Sequence, residues 1–427
     1  MSRFSEYYKA VSYIHALSSM PMKGNHMVDR KKPSVYLKRM RYFLGLLGNP
    51  DRGMKYIHIT GTAGKGTVAG MVHRMLVKSG RQAGLFTSPS VTTEIEKIQV
   101  GNMYISPSEF VKIVNYLKPL IKKAHEHGPY GRPSTFEIYL AVAFIYFKQQ
   151  KCEWIVLEVG LGGRYDATNV IEKPIITAIT NIGLDHTEIL GKTLGRIAYD
   201  KAGIIKRGAL FFTTESRASL IKVFERVAGQ KNVVVQKLDG KSFYQDNNKA
   251  LARAIVGSIG MGFVSNLGDM RLPCRFEIMQ HKPLVILDGA HNSSKIKTTI
   301  VNLKRLKYRR LYLIIAIAQN KDYKGILRQI APLANYIFVT QFTNKDRVCV
   351  SPSELLTCSK TCTKKGVIGK IFMDPRKALV TALKEAEPTD LILATGSFFL
   401  AGALRAQWFS EEWVLKHRKS FLDVSRS

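Results

Sequence analysis

Two hydrophobic periods alternate along this chain. Short uninterrupted apolar runs of strand length end in polar or glycine-rich segments, and between them apolar residues recur at helical spacing. Residues 1–56 read as helices interrupted by a polar, basic patch from Lys23 to Lys32. Tyr36 to Leu47 is helical and stops at Gly48-Asn49-Pro50, where glycine and asparagine followed by proline end a helix. Ile57-His58-Ile59 is a strand that runs into Thr60-Gly61-Thr62-Ala63-Gly64-Lys65-Gly66-Thr67, and a helix follows through Val68, Met71, Val72, Met75 and Leu76. Leu85-Phe86-Thr87 is a second strand, leading into Ser88-Pro89-Ser90 and a loop with Glu94, Glu96 and Lys97. Phe136 to Phe147 is an apolar helix. Trp154 to Leu157 is a buried strand that delivers Glu158 and then the glycine-rich run Val159 to Asp166. Ile175 to Thr180 delivers Asn181, Asp185 and His186, and a helix from about Thr193 to Ala202 carries Asp200 and Lys201. Strands alternating with helices, with polar residues at the strands' C-terminal ends, predict an α/β fold with a parallel sheet and a site along that edge.

The pattern weakens over residues 206–270, and Leu272-Pro273-Cys274-Arg275-Phe276-Glu277 reads as a linker. A second alternation then begins with Leu284 to Leu287 running into Asp288-Gly289-Ala290-His291-Asn292. Leu311 to Ala318, Tyr336 to Thr340, Lys370 to Met373 and Leu391 to Ala394 are further predicted strands. Two domains are expected, residues 1–276 and 277–427, the second smaller and also α/β.

Composition narrows this little, except in charge. Hydrophobic residues at 45% and charged residues at 23% describe an ordinary globular chain. Lys+Arg number 65 against 32 Asp+Glu, a net +33, which favours anionic partners. The basic residues are spread along the chain rather than massed in one arm, so the excess reads as solvated surface and does not indicate nucleic acid. Five cysteines, an odd number without repeated pair spacing, argue for a reducing compartment; Cys358 and Cys362 have no partner pair and read as incidental. The N-terminus lacks an apolar signal core and no apolar run approaches a membrane span, so a cytoplasmic protein, and a monomer, are expected.

Chemistry concentrates at the strand ends. Glycines let backbone N–H groups approach an anion, and the first helical turn adds unpaired donors and its positive dipole end. Gly61, Thr62, Gly64, Lys65, Gly66 and Thr67 therefore read as a phosphate loop, Lys65 reaching the outer phosphates and the Thr67 hydroxyl suiting Mg²⁺. The spacing departs from G-x-x-x-x-G-K-[ST]: two residues separate Gly61 from Gly64, and Gly66 intervenes before Thr67. Ser88, Glu158 and His186 each follow a predicted strand, so a parallel sheet gathers them near the phosphates. Singly, Ser88 reads as a turn residue, Glu158 as a helix cap and His186 as a loop hydrogen-bonder; their shared location points to a site. Asp288 and His291 follow the same logic in the second domain, and the Arg275 fork suits phosphate. Asn320-Lys321-Asp322 and Asn344-Lys345-Asp346 read as chance matches to guanine-binding motifs.

The order of motifs resembles the folylpolyglutamate synthase/dihydrofolate synthase family of the Mur ligase superfamily, from about Pro33 to Arg405. The resemblance is carried by Leu47-Gly48-Asn49-Pro50, Gly61 to Thr67, Thr87-Ser88-Pro89, Ser134-Thr135-Phe136-Glu137 and above all Leu157 to Asn169. It continues through Asp185-His186-Thr187, Asp200 to Ile204, Leu272 to Phe276, Asp288 to Asn292 and Gly396-Ser397.

It implies a P-loop ATP-binding domain and a smaller Rossmann-like glutamate ligase domain. It also implies an ATP-dependent ligase that phosphorylates the carboxylate of a folate or dihydropteroate and lets L-glutamate displace phosphate. By the same resemblance Thr67, Ser88 and Glu158 serve a first Mg²⁺, and His186 and a carbamylated Lys201 serve a second together with the glutamate. Lys65, Lys201 and His186 are the implied catalytic residues; Asn248, Arg275, Asp288 and His291 join the loop in holding ATP; Phe136, Arg164 and Asp166 hold the acceptor. Ala63 stands where the family has asparagine, Ser90 where it has histidine and Asp200 where it has glutamate. The first two bear on which acid is accepted. The alternatives are a Mur-type ligase for another acid and amino acid, a basic P-loop ATPase that binds nucleic acid, and a ligase-derived binding module that has lost activity.

Overall fold

The computed structural model describes residues 3–19, 33–238, 244–260, 272–343, 347–363 and 366–421. The basic patch from Lys23 to Lys32 and Asn344-Lys345-Asp346 lie outside the described residues. The chain divides into two compact units, one of residues 1–90, 94–270 and 415–419, the other of residues 91–93, 271–414 and 420–427.

The first unit is built on strands β1 (Lys55–Thr60), β2 (Ala83–Phe86), β3 (Ile98–Val100), β4 (Met103–Tyr104), β5 (Trp154–Glu158), β6 (Ile176–Ile179), β7 (Leu210–Thr213) and β8 (Val235–Lys237). They form one sheet in the order β4-β3-β2-β5-β1-β6-β7-β8, parallel from β2 to β8 and antiparallel only at β3 and β4. β1 lies between β5 and β6, so three strand ends that carry polar residues are neighbours. Its register sets Ile59 beside Glu158 and Thr60 beside Ile179.

Both faces of the sheet are covered. Helices Ser5–Ser19, Ser34–Leu46, Pro107–His127 and Thr135–Gln149 pack one core, and Lys65–Lys78 and Tyr244–Gly257 pack another. Helix Thr135–Gln149 is buried without a break from Glu137 to Phe144, which is why it reads as apolar all round. Helices Leu194–Lys201 and Ala218–Gly229 close a third core over β6 and β7. The stretch with weak patterning thus holds β7, β8 and two helices. The predicted helix stop is met: Leu47 follows helix Ser34–Leu46, and Gly48 and Asn49 both take positive φ, 72° and 53°.

The second unit holds β9 (Glu277–His281), β10 (Leu284–Leu287), β11 (Leu311–Ile315), β12 (Tyr336–Val339), β13 (Ile368–Ile371) and β14 (Leu391–Thr395). Their order is β13-β12-β11-β14-β10-β9, with only β9 antiparallel. One buried ion pair ties its end to its beginning. Arg405, 0% exposed, donates from Nε to both oxygens of Glu277 at 3.0 Å, and its guanidinium stacks on Phe409 at 4.6 Å. A buried carboxylate left without its arginine is costly, so Arg405→Met is expected to destabilise this unit by about 3–5 kcal/mol. Trp408 and Trp413 report on it directly in urea unfolding followed by fluorescence.

Candidate active site

The phosphate-loop segment begins where β1 ends. Gly61 has φ 152°, and a Cβ there would lie 1.8 Å from Thr180 Oγ1, so no side chain fits. Gly64, at φ 84°, turns the chain into helix Lys65–Lys78. The loop is fastened to the end of β6. The Thr62 N–H donates to the Asn181 carbonyl at 2.9 Å, the Ala63 N–H to Asn181 Oδ1 at 2.9 Å, and the Gly183 N–H to Thr62 Oγ1 at 2.8 Å. Thr180 Oγ1 donates to the Ala63 carbonyl at 2.6 Å. Those bonds use the early N–H groups and fix the shape. The N–H groups of Lys65, Gly66 and Thr67 lie in the first helical turn, where a helix has no partner for them.

Glu158 ends β5 and is 1% exposed. Its Oε2 accepts from the Ser88 N–H at 3.0 Å. A Cβ on Gly66 would meet its two oxygens at 3.0 and 3.1 Å. The carboxylate therefore lies directly on the first turn of helix Lys65–Lys78, at the positive end of the dipole. The structure thus brings Gly66 and its neighbour Thr67, the Ser88 loop and Glu158 to one place. Among the described residues no three His, Cys, Asp or Glu side chains gather to hold a metal. A cation here would take a carboxylate, hydroxyls and phosphate oxygens, which is the hard oxygen set of Mg²⁺.

Lys201 ends helix Leu194–Lys201 and is 4% exposed. Burial, then the nearby Lys65 charge, push its amine down to about 7 against the opposing pull of Asp200, Asp185 and Asp166. The glycine-rich loop after β5 is small because this helix sits on it. A Cβ on Gly163 would lie 2.8 Å from the Lys201 carbonyl, and one on Gly162, which has φ 67°, would lie 2.3 Å from Asp200 Oδ1. The Arg164 N–H donates to the Asp200 carbonyl at 2.9 Å.

His186, with φ 49°, opens the short helix Thr187–Leu190; its ring stands 3.9 Å from Asp185 Oδ1 and 3.7 Å from Glu188 Oε1. Phe136 packs edge-on to Phe86 at 5.6 Å and beside Gly160, whose Cβ would lie 2.7 Å from its ring. Asp166 is buried and turns its carboxylate inward, accepting from the Leu161 N–H at 2.8 Å and the Thr168 N–H at 3.0 Å. Arg164 lies apart from this pair, stacked 4.2 Å over the Tyr199 ring. Asn248 is buried in helix Tyr244–Gly257, which packs on the phosphate-loop helix. His58, on β1, is a packing residue: burial holds it down to about 3, and its Nε2 pairs with Thr168 Oγ1 at 2.8 Å.

In the second unit, Asp288 is buried and held up to about 6, by burial first, while Thr299 Oγ1 donates to it at 2.6 Å and Arg275 pulls the other way. Arg275 stacks 4.0 Å over Phe398, and the His291 ring stands edge-on to the same ring at 5.7 Å. Lys295 Nζ lies 3.1 Å from His291 Nε2. Arg275, Asp288 and His291 therefore do gather, around Phe398. Sequence reasoning missed Thr299, Lys295 and Phe398, although Lys295 follows His291 by one helical turn and Phe398 directly follows Gly396-Ser397. It also passed over Thr180 and assigned no role to Asn181, the residues that shape the phosphate loop.

The chain matches two family models: the Mur ligase middle domain over residues 59–250 and the Mur ligase, glutamate ligase domain over residues 274–398. It is 28% identical to the dihydrofolate synthase/folylpolyglutamate synthase of Bacillus subtilis, covering 94% of this chain and 99% of that one. The Mycobacterium tuberculosis dihydrofolate synthase/folylpolyglutamate synthase is 30% identical over 75% of this chain and 77% of its own. Among solved structures, the folylpolyglutamate synthase of Thermotoga maritima superposes with TM-score 0.78 at 28% identity, covering 94% of this chain and 96% of that one. The M. tuberculosis folylpolyglutamate synthase, complexed with ADP and AMPPCP, gives TM-score 0.83 at 25% identity, covering 95% and 99%.

Gly61→Ala tests the loop. Its methyl group would overlap Thr180 Oγ1, so the variant is expected to lose about 1–3 kcal/mol in chemical denaturation. Gly45→Ala, where no atom lies within 4 Å of the new Cβ, is the control and is expected to be neutral or stabilising.

Proposed function

This chain belongs to the folylpolyglutamate synthase/dihydrofolate synthase family of Mur ligases, and on that premise we propose that it joins L-glutamate to a folate or dihydropteroate carboxylate at the expense of ATP. The γ-phosphoryl group passes to the acceptor carboxylate, giving an acyl phosphate and ADP. The glutamate amine then attacks the acyl carbon, phosphate leaves, and the amine gives up its proton as the amide forms. The observation that carries this reading is the Glu158 carboxylate set against the first turn of the phosphate-loop helix with the Ser88 N–H on it.

Phosphoryl transfer needs positioning and charge neutralisation more than covalent help. Gly61, Thr62, Gly64 and Gly66 shape the loop, Lys65 neutralises the outer phosphates, and Thr67, Ser88 and Glu158 would hold Mg²⁺. When bound, Mg²⁺ would neutralise charge on the phosphate oxygens. Asn248, Arg275, Asp288 and His291 are assigned to the nucleotide, and Phe136, Arg164 and Asp166 to the acceptor. His186 and a carbamylated Lys201 are assigned to a second cation. Burial of Lys201 supports its modification. An amine held at about 7 has a substantial neutral fraction near pH 7, and only the neutral amine attacks CO₂, losing a proton as the anionic carbamate forms.

Mass spectrometry of reactions with ATP, Mg²⁺, bicarbonate and L-glutamate tests the whole reading, with dihydropteroate or tetrahydrofolate as acceptor. A product heavier by one glutamyl residue with matching ADP is expected; no mass gain on either acceptor sinks the assignment. Lys65→Met is expected to lower kcat/KM by about 100-fold or more. For Lys201, lowering the pH through about 7 protonates the amine and disfavours carbamate. Intact-protein spectra under gentle conditions are therefore expected to show one CO₂ adduct that fades as pH falls and is absent in Lys201→Arg.

A further inference from the structure

The loop from Thr87 to Lys97 leaves the sheet after β2 and returns at β3. Its base is closed where the Thr87 N–H donates to the Lys97 carbonyl at 3.0 Å. The Lys97 ammonium then reaches back across the loop, donating to Ser90 Oγ at 2.7 Å and to the Glu94 carboxylate. Ser88 and Pro89 are strung between two residues, Thr87 and Ser90, that both hang on Lys97.

Lys97 is itself firmly held. Its side chain is only 11% exposed and its ammonium lies 4.7 Å from the centre of the Tyr139 ring. Burial pushes Glu94 up, but the Lys97 charge and hydrogen bond, with help from His15 and Tyr139, bring it below its ordinary range, so it stands as the counter-ion. The Glu94 N–H meets Tyr7 Oη at 3.1 Å, its Oε1 accepts from Ser90 Oγ at 3.3 Å, and His15 Nε2 lies 3.8 Å away. Tyr139 follows Phe136 by one turn of helix Thr135–Gln149, and Phe136 packs on Phe86, which precedes Thr87. The Ser88 N–H to Glu158 bond alone contributes less than the backbone entropy lost in ordering the segment. Part of the loop's placement therefore comes from elsewhere, and within the first unit Lys97 is where the contacts of Thr87, Ser90 and Glu94 meet.

We propose that Lys97 is a positioning residue that holds the Ser88 loop against the Glu158 carboxylate and so sets the affinity of the site for a divalent cation. The inference rests on the cation site of the ligase reading above. The Lys97 side chain acts through Ser90 and Glu94, while the loop closure is a backbone bond that any residue at 97 keeps.

The test is Mn²⁺ binding in the presence of ADP, read by the electron paramagnetic resonance of free Mn²⁺. Substitution of residues that orient metal ligands typically costs about 10–100-fold in metal affinity, so Lys97→Met is expected to weaken Mn²⁺ binding by at least about tenfold. Its metal-free affinity for ADP should stay within about twofold, since no nucleotide contact is removed. Lys97→Arg keeps a cationic donor and is expected to restore most of the Mn²⁺ affinity. A folded Lys97→Met protein that binds Mn²⁺ like the wild type overturns the proposal. If that variant does not fold, Ser90→Ala removes the same tether with little loss of packing, and unchanged Mn²⁺ affinity there overturns it equally. A wild type that fails to bind Mn²⁺ with ADP overturns the cation site itself, and this inference with it.

Discussion

A carboxylate at 1% exposure must be stabilised by the protein, and the rest of the first unit is arranged around that requirement. Glu158 ends a strand in the middle of a parallel sheet, beside the strand that feeds the phosphate loop. Solvent barely touches it, so its charge is met largely by the dipole and first-turn N–H groups of helix Lys65–Lys78 and by the Ser88 N–H. That contact works only if the helix turn comes within about van der Waals distance, which is why position 66 carries no side chain. The same geometry sets the Glu158 carboxylate facing the donors that a phosphate would use. Anion and anion would repel there, and a divalent cation between them resolves the conflict.

A second buried ionisable group lies in the same unit. Lys201 sits where Lys65 also projects its field, and two ammonium groups in one buried place cannot both be comfortably charged. The structure answers with three nearby aspartates and with a depressed amine. Asp166 is not spare in this arrangement: its carboxylate holds the backbone of the glycine-rich loop in the shape that Lys201's helix rests upon. Its carboxylate thus shapes the floor of the loop. Arg164 does likewise on the other side, its guanidinium lying on Tyr199 of that helix.

Residues at strand ends were legible in the sequence because an apolar run that stops at a single polar residue marks both the strand and the position that faces its C-terminal edge. Ser88, Glu158 and Asp288 were found this way. What was not legible has physical causes. An apolar run reports burial, not ladder pairing, so the predicted strand from Leu311 to Ala318 ends its ladders with β12 and β14 at Ile315, while Ala316 and Ile317 remain buried beyond it and Ala318 makes an isolated bridge to Cys349. β13 is a largely exposed edge strand, and its four residues sit two positions before the predicted Lys370 to Met373. β8 has three residues and no buried one, which leaves residues 206–270 without a clear period. Lys97 was read only as a loop residue beside Glu94 and Glu96, since one lysine among 65 basic residues shows no role until its partners are seen. Thr180 and Asn181 looked like a strand end and proved to be the mould of the phosphate loop.

The departure at Ala63 can be weighed in the same terms. Its side chain is 3% exposed, so a larger polar group at this position would need room and partners of its own. Its N–H is met by Asn181 Oδ1 and its carbonyl by Thr180 Oγ1, both from the neighbouring strand end. The loop's shape therefore depends on its backbone and on the residues after β6, not on the side chain at 63. Losing an amide there leaves the phosphate-binding geometry standing and changes only what the loop can offer sideways.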